Sequence, residues 1–291
     1  MNNVLVSVII PTYNDWKRLA LCLDALKEQS FPADRFEIIV INNNPADKKP
    51  ANFVVPQNCI LLDEEEPGSY AARNKGIGRA QGTILAFTDS DCIPSADWIK
   101  NAVTLLESNK NISRIAGKID IFYKSNHPTP AELYEKVYAF KQEDIAKSGL
   151  SVTGNMFAYK SVFDAVGNFN NTLLSGGDYE WSKRAEQAGF KIIFGENVAI
   201  RHPARHRMSD LVKKTKRVVG GDVVTKKSAF IDLLISMKPP MRIAAKQFEK
   251  YGKELSLSQK VSVYSIKYYL ALVCSVEKLK ISWGQQEKRR E

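Results

Sequence analysis

Four short apolar runs, each bounded by turn residues, constrain the fold of this chain more than any other feature. They lie at residues 4–10, 36–41, 59–62 and 83–87. Runs of this length predict strands that are buried on both faces, as the strands of a parallel sheet are. Helical patterns separate the runs, and this alternation predicts a doubly wound α/β sheet. Ligands of such sheets bind beyond the carboxyl ends of the strands, so the candidate functional residues are those that follow each run.

The helical patterns define most of the remaining elements. Asp15 is a candidate cap for a helix whose Leu19, Leu23 and Leu26 form one apolar stripe. The other predicted helices cover residues 70–80, 96–108, 131–147 and 178–188, the last ended by Gly189. Further strands are predicted at residues 112–122, 151–159, 191–194 and 198–201, and the chain from Met208 onward is predicted to be largely helical.

Charge is distributed unevenly along the 291 residues, which carry a net charge of +10. Residues 1–200 hold 21 basic and 24 acidic side chains, whereas residues 201–291 hold 21 basic and 8 acidic ones, a net charge of +13. We predict a catalytic domain over residues 1–205 and a basic, mostly helical extension over residues 206–291. The charge of the extension favours an anionic partner or surface, and a solvated helical face is the alternative.

Composition excludes several classes of protein. With 44% hydrophobic and 25% charged residues, the chain is not disordered throughout. The sequence contains no uninterrupted run of about 18 apolar residues, so no transmembrane helix is predicted. The N-terminus lacks the basic start and the cleavage site of a signal peptide, so we expect a cytoplasmic protein. The four cysteines show no C-x-x-C spacing, which favours reduced thiols over a disulfide framework or a zinc site.

The triplet Asp89-Ser90-Asp91 directly follows the fourth predicted strand. Two carboxylates at the mouth of a buried strand repel each other unless a cation or water lies between them. A hard divalent cation takes one or two carboxylates and completes its coordination with water and substrate phosphates. The triplet therefore indicates a metal–diphosphate site, and an ordinary surface turn is the alternative.

Polar and basic residues after the second strand and in the helix after the third strand are suited to bind a nucleobase and a diphosphate. Asn42, Asn43 and Asn44 follow the second strand, where their amides can hydrogen-bond a nucleobase edge. A turn in which Asn tolerates left-handed backbone is the alternative. In the helix after the third strand, Arg73 or Lys75 can reach a diphosphate.

A pair of glycines brings Asp178 to the start of a predicted helix. Asp178 is a candidate helix cap and, beside a metal–diphosphate site, a candidate general base for an incoming hydroxyl. His202 is a candidate further ligand of the same metal. A two-histidine zinc site with His206 is disfavoured, because Pro203 opposes helical backbone at His202.

Five segments, taken in order, resemble the family-2 glycosyltransferases of the GT-A fold. They are Ser7-Val8-Ile9-Ile10-Pro11-Thr12-Tyr13-Asn14, Ala72-Arg73-Asn74-Lys75-Gly76-Ile77, Ala86-Phe87-Thr88-Asp89-Ser90-Asp91, Thr153-Gly154-Asn155 and Gly177-Asp178-Tyr179-Glu180-Trp181. The resemblance spans about residues 4–220. It implies a GT-A-type, mostly parallel mixed sheet flanked by helices, with a helical C-terminal extension. The implied activity is transfer of a sugar from a nucleoside-diphosphate sugar to a hydroxyl acceptor, with inversion.

The resemblance also implies roles by position. Asp178 falls where the family places its catalytic base, and Asp89 and Asp91 resemble its metal and diphosphate motif, which implies Mg²⁺ or Mn²⁺ with Asp91 as the more direct ligand. Arg201-His202-Pro203 matches a stretch downstream of the base that reaches the active site in some members. The implied substrate contacts are Pro11, Thr12, Tyr13, Asn43, Arg73, Asp89, Ser90, Thr153, Gly154, Asn155, Gly177, Glu180 and Trp181. Many members carry Asp where this chain has Asn42 and Asn43, so the nucleobase stays open although a UDP-sugar is favoured.

The resemblance further implies a glycan or lipid-linked acceptor, in cell-surface polysaccharide or glycolipid synthesis. The basic extension suits a peripheral contact with the inner face of the cell membrane, where residues 261–279 are a candidate amphipathic helix. Core or dimer packing of that helix is the alternative, and no specific nucleic acid is expected. Two other functions stay as alternatives, a non-enzymatic protein that binds anionic surfaces and a sugar-phosphate nucleotidyltransferase.

Overall fold

Eight strands form one mixed sheet in the computed structural model, which describes residues 4–173, 175–220, 226–239 and 241–284. The strands are β1 (Val6–Thr12), β2 (Phe36–Asn42), β3 (Cys59–Asp63), β4 (Ile84–Thr88), β5 (Ile93–Pro94), β6 (Ile112–Phe122), β7 (Asn155–Tyr159) and β8 (Lys191–Pro203). Their order across the sheet is β3-β2-β1-β4-β7-β6-β8-β5. The four strands from β3 to β4 run parallel, whereas β7 is antiparallel to β4 and β6.

Helices cover both faces of the parallel strands. Residues of α1 (Trp16–Lys27) and α3 (Trp98–Ser108) share one core with the strands, and residues of α2 (Ser69–Arg79), α6 (Lys160–Val166) and α7 (Gly177–Gln187) share the other. The other α-helices of the described residues are α4 (Pro130–Tyr138), α5 (Gln142–Ala146), α8 (Met208–Gly220), α9 (Lys226–Ser236), α10 (Met241–Tyr251) and α11 (Leu257–Ser282). β2 is buried along its whole length, and α1 buries Leu19, Leu23 and Leu26 as predicted. The predicted mixed sheet flanked by helices is thus confirmed. Both faces of its parallel strands are apolar, so both must be buried under helices.

The described chain forms two compact units. One contains Met1–Asp120, Phe140–Leu173 and Gly177–His202, and the other contains Ile121–Ala139, Leu174–Gly176 and Pro203–Glu291. Some residues on which predictions were made lie outside the described residues. They are residues 1–3, at the N-terminus that lacks signal-peptide features, and residues 221–225, 240 and 285–291 of the predicted helical extension. The domain boundary at residues 205 and 206 stays a prediction.

Several predicted elements differ from the observed ones for local reasons. The helix expected over residues 131–147 is broken into α4 and α5, and Phe140 between them has a φ of 49°. The strand expected from residue 151 begins only at Asn155, because the side chain of Gln142 hydrogen-bonds the backbone of Val152 and Asn155. The two strands expected at residues 191–194 and 198–201 are one continuous β8.

Asp15 precedes α1, but its side chain does not cap the helix. Its carboxylate instead pairs with Arg18 at 2.8 Å and accepts a hydrogen bond from Ser90. The residue therefore links the start of α1 to the segment after β4. Cys22, Cys59 and Cys92 are buried thiols, and burial raises the pKa of Cys59 to about 12.

The long helix α11 organises the second unit. It buries Val263 and Leu270, and α4, α8 and α9 pack along it. Residues 261–279, the candidate amphipathic helix, therefore contribute to core packing. Within the described residues, no helix combines the length and the apolar character that crossing a bilayer requires.

Candidate active site

Polar side chains gather where the parallel strands end. Thr12, Asn42, Asp63 and Thr88 are the last residues of β1 to β4. Parallel strands present their carboxyl ends at one edge of the sheet, so these residues line a common rim. Asn42 Nδ2 donates to Asp63 Oδ1 at 3.0 Å, which joins two neighbouring strand ends. The rim lies within the first unit, and the Asp89-Ser90-Asp91 triplet follows directly from it.

Four potential metal ligands meet after β4. One ligand atom from each of Asp89, Asp91, Cys92 and His202 lies within 4.8 Å of the others. His202 is buried in β8, with Nε2 3.5 Å from Asp91 Oδ1. The cluster brings together Asp89, Asp91 and His202, the three metal ligands predicted from the sequence.

The donor chemistry of this cluster fits a hard divalent cation. Burial raises the pKa of Asp91, and the neighbouring charge of Asp89 adds to this increase. Two carboxylates supply the oxygen ligands that Mg²⁺ and Mn²⁺ prefer, and a neutral imidazole adds a nitrogen ligand. Burial raises the pKa of Cys92 well above its usual range, so its protonated thiol is a poor ligand.

Two arginines reach the acidic triplet from opposite directions. Arg73 Nη2 donates to Asp89 Oδ1 at 2.6 Å, and Arg18 Nη1 lies 3.1 Å from Asp91 Oδ2. Arg73 is only 4% exposed, so its guanidinium is held in one place by the fold. Its buried Nε has no hydrogen-bond partner among the described residues. A buried donor without a partner is costly, and an anionic ligand would satisfy it.

Asp178 lies in the first turn of α7 and accepts three hydrogen bonds. Tyr70 Oη donates to Oδ1 at 3.1 Å, the Tyr179 backbone N–H to Oδ1 at 3.0 Å, and the Thr153 N–H to Oδ2 at 3.3 Å. Burial raises the pKa of Asp178, while the charge of Arg73 and these donors oppose the increase. The carboxylate is thus fixed in orientation and more basic than an exposed one.

Two consecutive residues connect Asp178 with the acidic triplet. Thr153 donates to Asp178, and a Cβ built at Gly154 would lie 3.4 Å from Asp89 Oδ2. On the opposite flank, Arg73 places its Cζ 5.8 Å from the centre of the Tyr70 ring. Asp178 and Asp89 therefore belong to one continuous cluster, bridged by backbone on one side and by stacked side chains on the other.

Gly177 is required by the ring of Tyr70. A Cβ at this position would lie 2.7 Å from Tyr70 Cε2, closer than real side chains approach. The absence of a side chain lets the ring lie against the start of α7, where its hydroxyl reaches Asp178. Gly177 thus contributes to the site through packing.

Some of the remaining residues predicted to contact substrate are exposed, and others are held by contacts within the protein. At the end of β1, Tyr13 is 50% exposed and Pro11 is half-buried. The buried Thr12 hydroxyl there has no hydrogen-bond partner among the residues described. Ser90 is buried and donates to Asp15. Glu180, one turn along from Gly177, is ion-paired with Arg184.

Three residues expected to touch substrate have their polar groups occupied by the protein. Asn43 donates to the carbonyls of Glu64 and Glu66 and accepts from the Gly68 N–H, so it shapes the loop before α2. Asn155 is fully buried; its amide binds the carbonyls of Lys118 and Val198 and the indole of Trp98. Trp181 is fully buried in the aromatic core, with its indole N–H bonded to Gly167 O. These three residues hold the scaffold of the site.

The sequence interpretation assigned no role to Tyr70, Asp63 or Arg18. Tyr70 lies within the segment that was singled out for its cations, but its partner Asp178 is 108 residues away. Asp63 ends the third strand and had a detectable signal, a carboxylate at a strand end. Arg18 lies on the exposed side of α1, and nothing in its local sequence indicates a partner after β4.

Comparisons with known proteins identify the family. The model of glycosyl transferase family 2 matches residues 7–166. Glycosyltransferase AglE of Haloferax volcanii is 37% identical over 224 residues, which cover 75% of this chain and 73% of that protein. The chain belongs to glycosyl transferase family 2.

Other relatives and solved structures agree with this assignment. A dolichyl N-acetyl-α-D-glucosaminyl phosphate 3-β-D-2,3-diacetamido-2,3-dideoxy-β-D-glucuronosyltransferase of Methanococcus voltae is 25% identical over 228 residues, 72% of this chain and 70% of that one. The glycosyltransferase described here shares its fold with the mannosyltransferase PcManGT of Pyrobaculum calidifontis, solved with GDP-Man and Mn²⁺. That match has a TM-score of 0.56 and 18% identity, and it covers 97% of this chain and 76% of the other.

The fold is also that of Staphylococcus aureus TarS, solved with UDP-GlcNAc, at a TM-score of 0.54 and 16% identity over 97% of this chain and 93% of TarS. These neighbours confirm a GT-A-type architecture for the glycosyltransferase. Other relatives of this chain are named for polysaccharide and glycan biosynthesis, such as the amylovoran biosynthesis glycosyltransferase AmsB of Erwinia amylovora. Family membership makes the chain an enzyme and sets aside the non-enzymatic alternative.

Proposed function

We propose that this glycosyltransferase moves a sugar from a nucleoside-diphosphate sugar to a hydroxyl acceptor in a single displacement that inverts the anomeric centre. The observation that carries the proposal is the pairing made by Thr153 and Gly154. Thr153 touches the carboxylate of Asp178, and Gly154 lies against Asp89 of the acidic triplet. A basic carboxylate and a cation-binding carboxylate cluster thereby flank one short stretch of backbone, as a displacement with separate proton and leaving-group sites requires.

The diphosphate of the donor is proposed to lie between Arg73 and the acidic triplet. Arg73 offers a buried, unpartnered Nε–H, and its position is fixed by the bond to Asp89. Asp91 and His202, with help from Asp89, would hold Mg²⁺ or Mn²⁺. When bound, the cation stabilises the negative charge of the departing diphosphate. Arg73 adds a fixed positive charge at the same end of the site.

Asp178 is the proposed general base. Its carboxylate takes the proton of the acceptor hydroxyl while the acceptor oxygen forms a bond to the anomeric carbon. The bond between that carbon and the diphosphate oxygen breaks on the opposite face, and the nucleoside diphosphate leaves. Tyr70 holds Asp178 Oδ1, and Thr153 holds Oδ2, so the base is oriented before substrate arrives.

A UDP-sugar is the favoured donor. Asp63 at the end of β3 supplies a carboxylate near the position where many family members carry one, after β2. Its Oδ1 accepts from Asn42, and its second oxygen suits the N3–H of uracil. The TarS structure holds UDP-GlcNAc and the PcManGT structure holds GDP-Man, so the choice of base is a point for experiment.

The proposed acceptor is a glycan or a lipid-linked saccharide. The Methanococcus voltae relative is named for a dolichyl-phosphate-linked sugar, and the Escherichia coli relative WfgD for a diphosphoundecaprenol-linked one. WfgD is 28% identical over 124 residues, 42% of this chain and 48% of its own length. We propose that the basic C-terminal region contacts the anionic inner face of the cell membrane, where such an acceptor would be presented.

Nucleotide binding and product stereochemistry test this function. The melting temperature of the protein is measured with UDP, GDP, dTDP and CMP, each with and without Mn²⁺. A ligand at about 100 times its Kd stabilises the folded state by about 2.7 kcal/mol, and UDP with Mn²⁺ is expected to give the largest shift. NMR of the transfer product from an α-linked donor should show a β-linked sugar. Absence of any nucleotide shift, or retention of the anomeric configuration, would overturn the proposal.

A further inference from the structure

Helix α9 exposes an apolar surface. Phe230, Ile231, Leu234, Ile235 and Met237, together called the α9 face, are between 44% and 62% exposed. Their spacing follows the helical period, so four of them lie on adjacent positions of one side of α9 and the fifth follows in the turn after it. Single exposed apolar residues are ordinary, but five within eight positions, four of them on one side of a helix, form a patch that indicates an interaction surface.

The opposite side of α9 is held by polar contacts. The Asp232 carbonyl accepts from Ser275 Oγ at 3.2 Å, and its carboxylate is 2.8 Å from Lys278 Nζ, both on α11. Tyr268 of α11 donates to the Met237 carbonyl at 3.1 Å. The helix therefore faces its own unit with Asp232 and the fully buried Ala229, and it turns the α9 face outward. Large apolar side chains in contact with water are unfavourable, so the α9 face is suited to contact with another apolar phase.

Charge around the α9 face distinguishes between possible occupants. Residues 226–246 contain five basic side chains and one acidic one, Asp232, which is paired with Lys278. Lys238 and Arg242 directly follow the patch and are exposed. A second copy of the chain would bring two such basic segments together. Anionic headgroups neutralise them instead, while the aliphatic stems of Lys and Arg lie along the boundary.

We propose that the α9 face inserts into the headgroup–acyl boundary of an anionic lipid bilayer, with Lys238 and Arg242 on the headgroups. An interfacial helix of this type gains affinity from buried apolar area and from attraction to anionic lipid together. The inference deepens and rests on the membrane contact proposed above, and it moves that contact from residues 261–279 to α9. The test measures only vesicle binding, whereas sugar transfer is measured in a separate assay. A failure of the membrane assignment can therefore be distinguished from a failure of the proposed function.

Vesicle flotation tests this assignment with the full chain. Wild-type protein should float with phosphatidylcholine vesicles that contain phosphatidylglycerol, and weakly with phosphatidylcholine alone. The triple variant Phe230→Ser, Leu234→Ser, Ile235→Ser should lose about tenfold or more of its binding. Leu257→Ser is the matched control, since Leu257 is 79% exposed at the start of α11, outside the α9 face, and should float as wild type does. Lys238→Glu with Arg242→Glu should abolish the preference for phosphatidylglycerol.

Several outcomes would overturn the assignment. They are a wild-type protein that stays at the bottom of the gradient, a triple variant that floats as well as wild type, and a dimer, seen by sedimentation velocity, that the triple variant dissociates while neither protein binds vesicles. If the triple variant does not fold, Phe230→Trp supplies a second measurement. Its added fluorescence should shift to shorter wavelength and be quenched by brominated lipid, with wild-type fluorescence as the reference, and no quenching contradicts insertion.

Discussion

The hydroxyl of Tyr70 donates a hydrogen bond to Asp178 Oδ1 at 3.1 Å, and the ring that carries it lies against Gly177 and beside Arg73. Burial and the adjacent Asp178 charge raise the pKa of Tyr70, so the phenol stays protonated and serves as a donor. Arg73 in turn binds Asp89. One aromatic side chain thus contacts both the proposed base and the arginine of the proposed diphosphate site.

Asp178→Asn should remove the base while it preserves the shape of the site. We expect the turnover number to fall by about 10²–10⁴-fold, the usual contribution of an acid–base group. Asp164→Asn on α6 is the control, because Asp164 is exposed and should leave turnover unchanged. Near-normal turnover of Asp178→Asn in a steady-state transfer assay would refute the assignment.

Tyr70→Phe tests whether Tyr70 positions the base. Without the hydrogen bond from Tyr70 the carboxylate is free to leave its productive orientation, and a misplacement of about 1 Å is expected to lower turnover at neutral pH by up to about 10²-fold. The Tyr70 hydroxyl lowers the pKa of Asp178, so its removal should raise that pKa. The acidic limb of the pH–rate profile should then move to higher pH. Tyr159→Phe is the control, and an unmoved acidic limb in Tyr70→Phe would indicate a purely structural role.

Gly177→Ala should reproduce much of the Tyr70→Phe effect without removal of any polar group. The added Cβ would lie 2.7 Å from the Tyr70 ring and displace it from Asp178. Gly78→Ala within α2 is the matched control, because a Cβ there meets no heavy atom within 4 Å. That control should leave turnover unchanged and stabilise the helix by about 0.5–1 kcal/mol. Wild-type turnover and an unshifted pH profile in Gly177→Ala would show that the ring tolerates the methyl group.

Asp91→Asn and His202→Asn should weaken metal binding. Each removes one proposed ligand, and we expect the Mn²⁺ concentration for half-maximal activity to rise by tenfold or more, with Asp91→Asn the more severe because it also removes charge. Asp120→Asn, an exposed carboxylate outside the cluster, is the control. Calorimetric titration with Mn²⁺ measures the same change without substrate, and equal affinities in all four proteins would exclude this cluster as the metal site.

Asn155 offers a test of a structural role against a substrate contact. Its amide satisfies two backbone carbonyls and the indole of Trp98 in the buried interior. Asn155→Ala leaves these groups without partners, at about 1–3 kcal/mol each, and should lower the free energy of unfolding accordingly. Asn155→Asp should be worse, because a carboxylate would face two carbonyl oxygens. Urea denaturation measures both, and wild-type stability with a raised KM would favour direct contact with substrate.

Much of the fold could be predicted because its signals are local. The run at 36–41 is apolar except for Glu37, and β2 is buried throughout, since a strand inside a parallel sheet has no solvent face. Asp89 and Asp91 could be singled out because they directly follow such a strand. Elements whose ends depend on distant groups were predicted less well. The break at Phe140 and the late start of β7, where Gln142 holds the preceding loop, are examples.

The sequence by itself determined the order of strands and helices along the chain. It also determined the position of the acidic triplet, the placement of Asp178 after two glycines and the strongly basic character of the C-terminal region. Only the tertiary structure decided what each polar group does. The amides of Asn43 and Asn155 donate to backbone carbonyls, Tyr70 donates to Asp178, which is 108 residues away, and α9 exposes an apolar face. Residue type sets which bonds a side chain can make, but the packing of distant segments sets which of those bonds it forms.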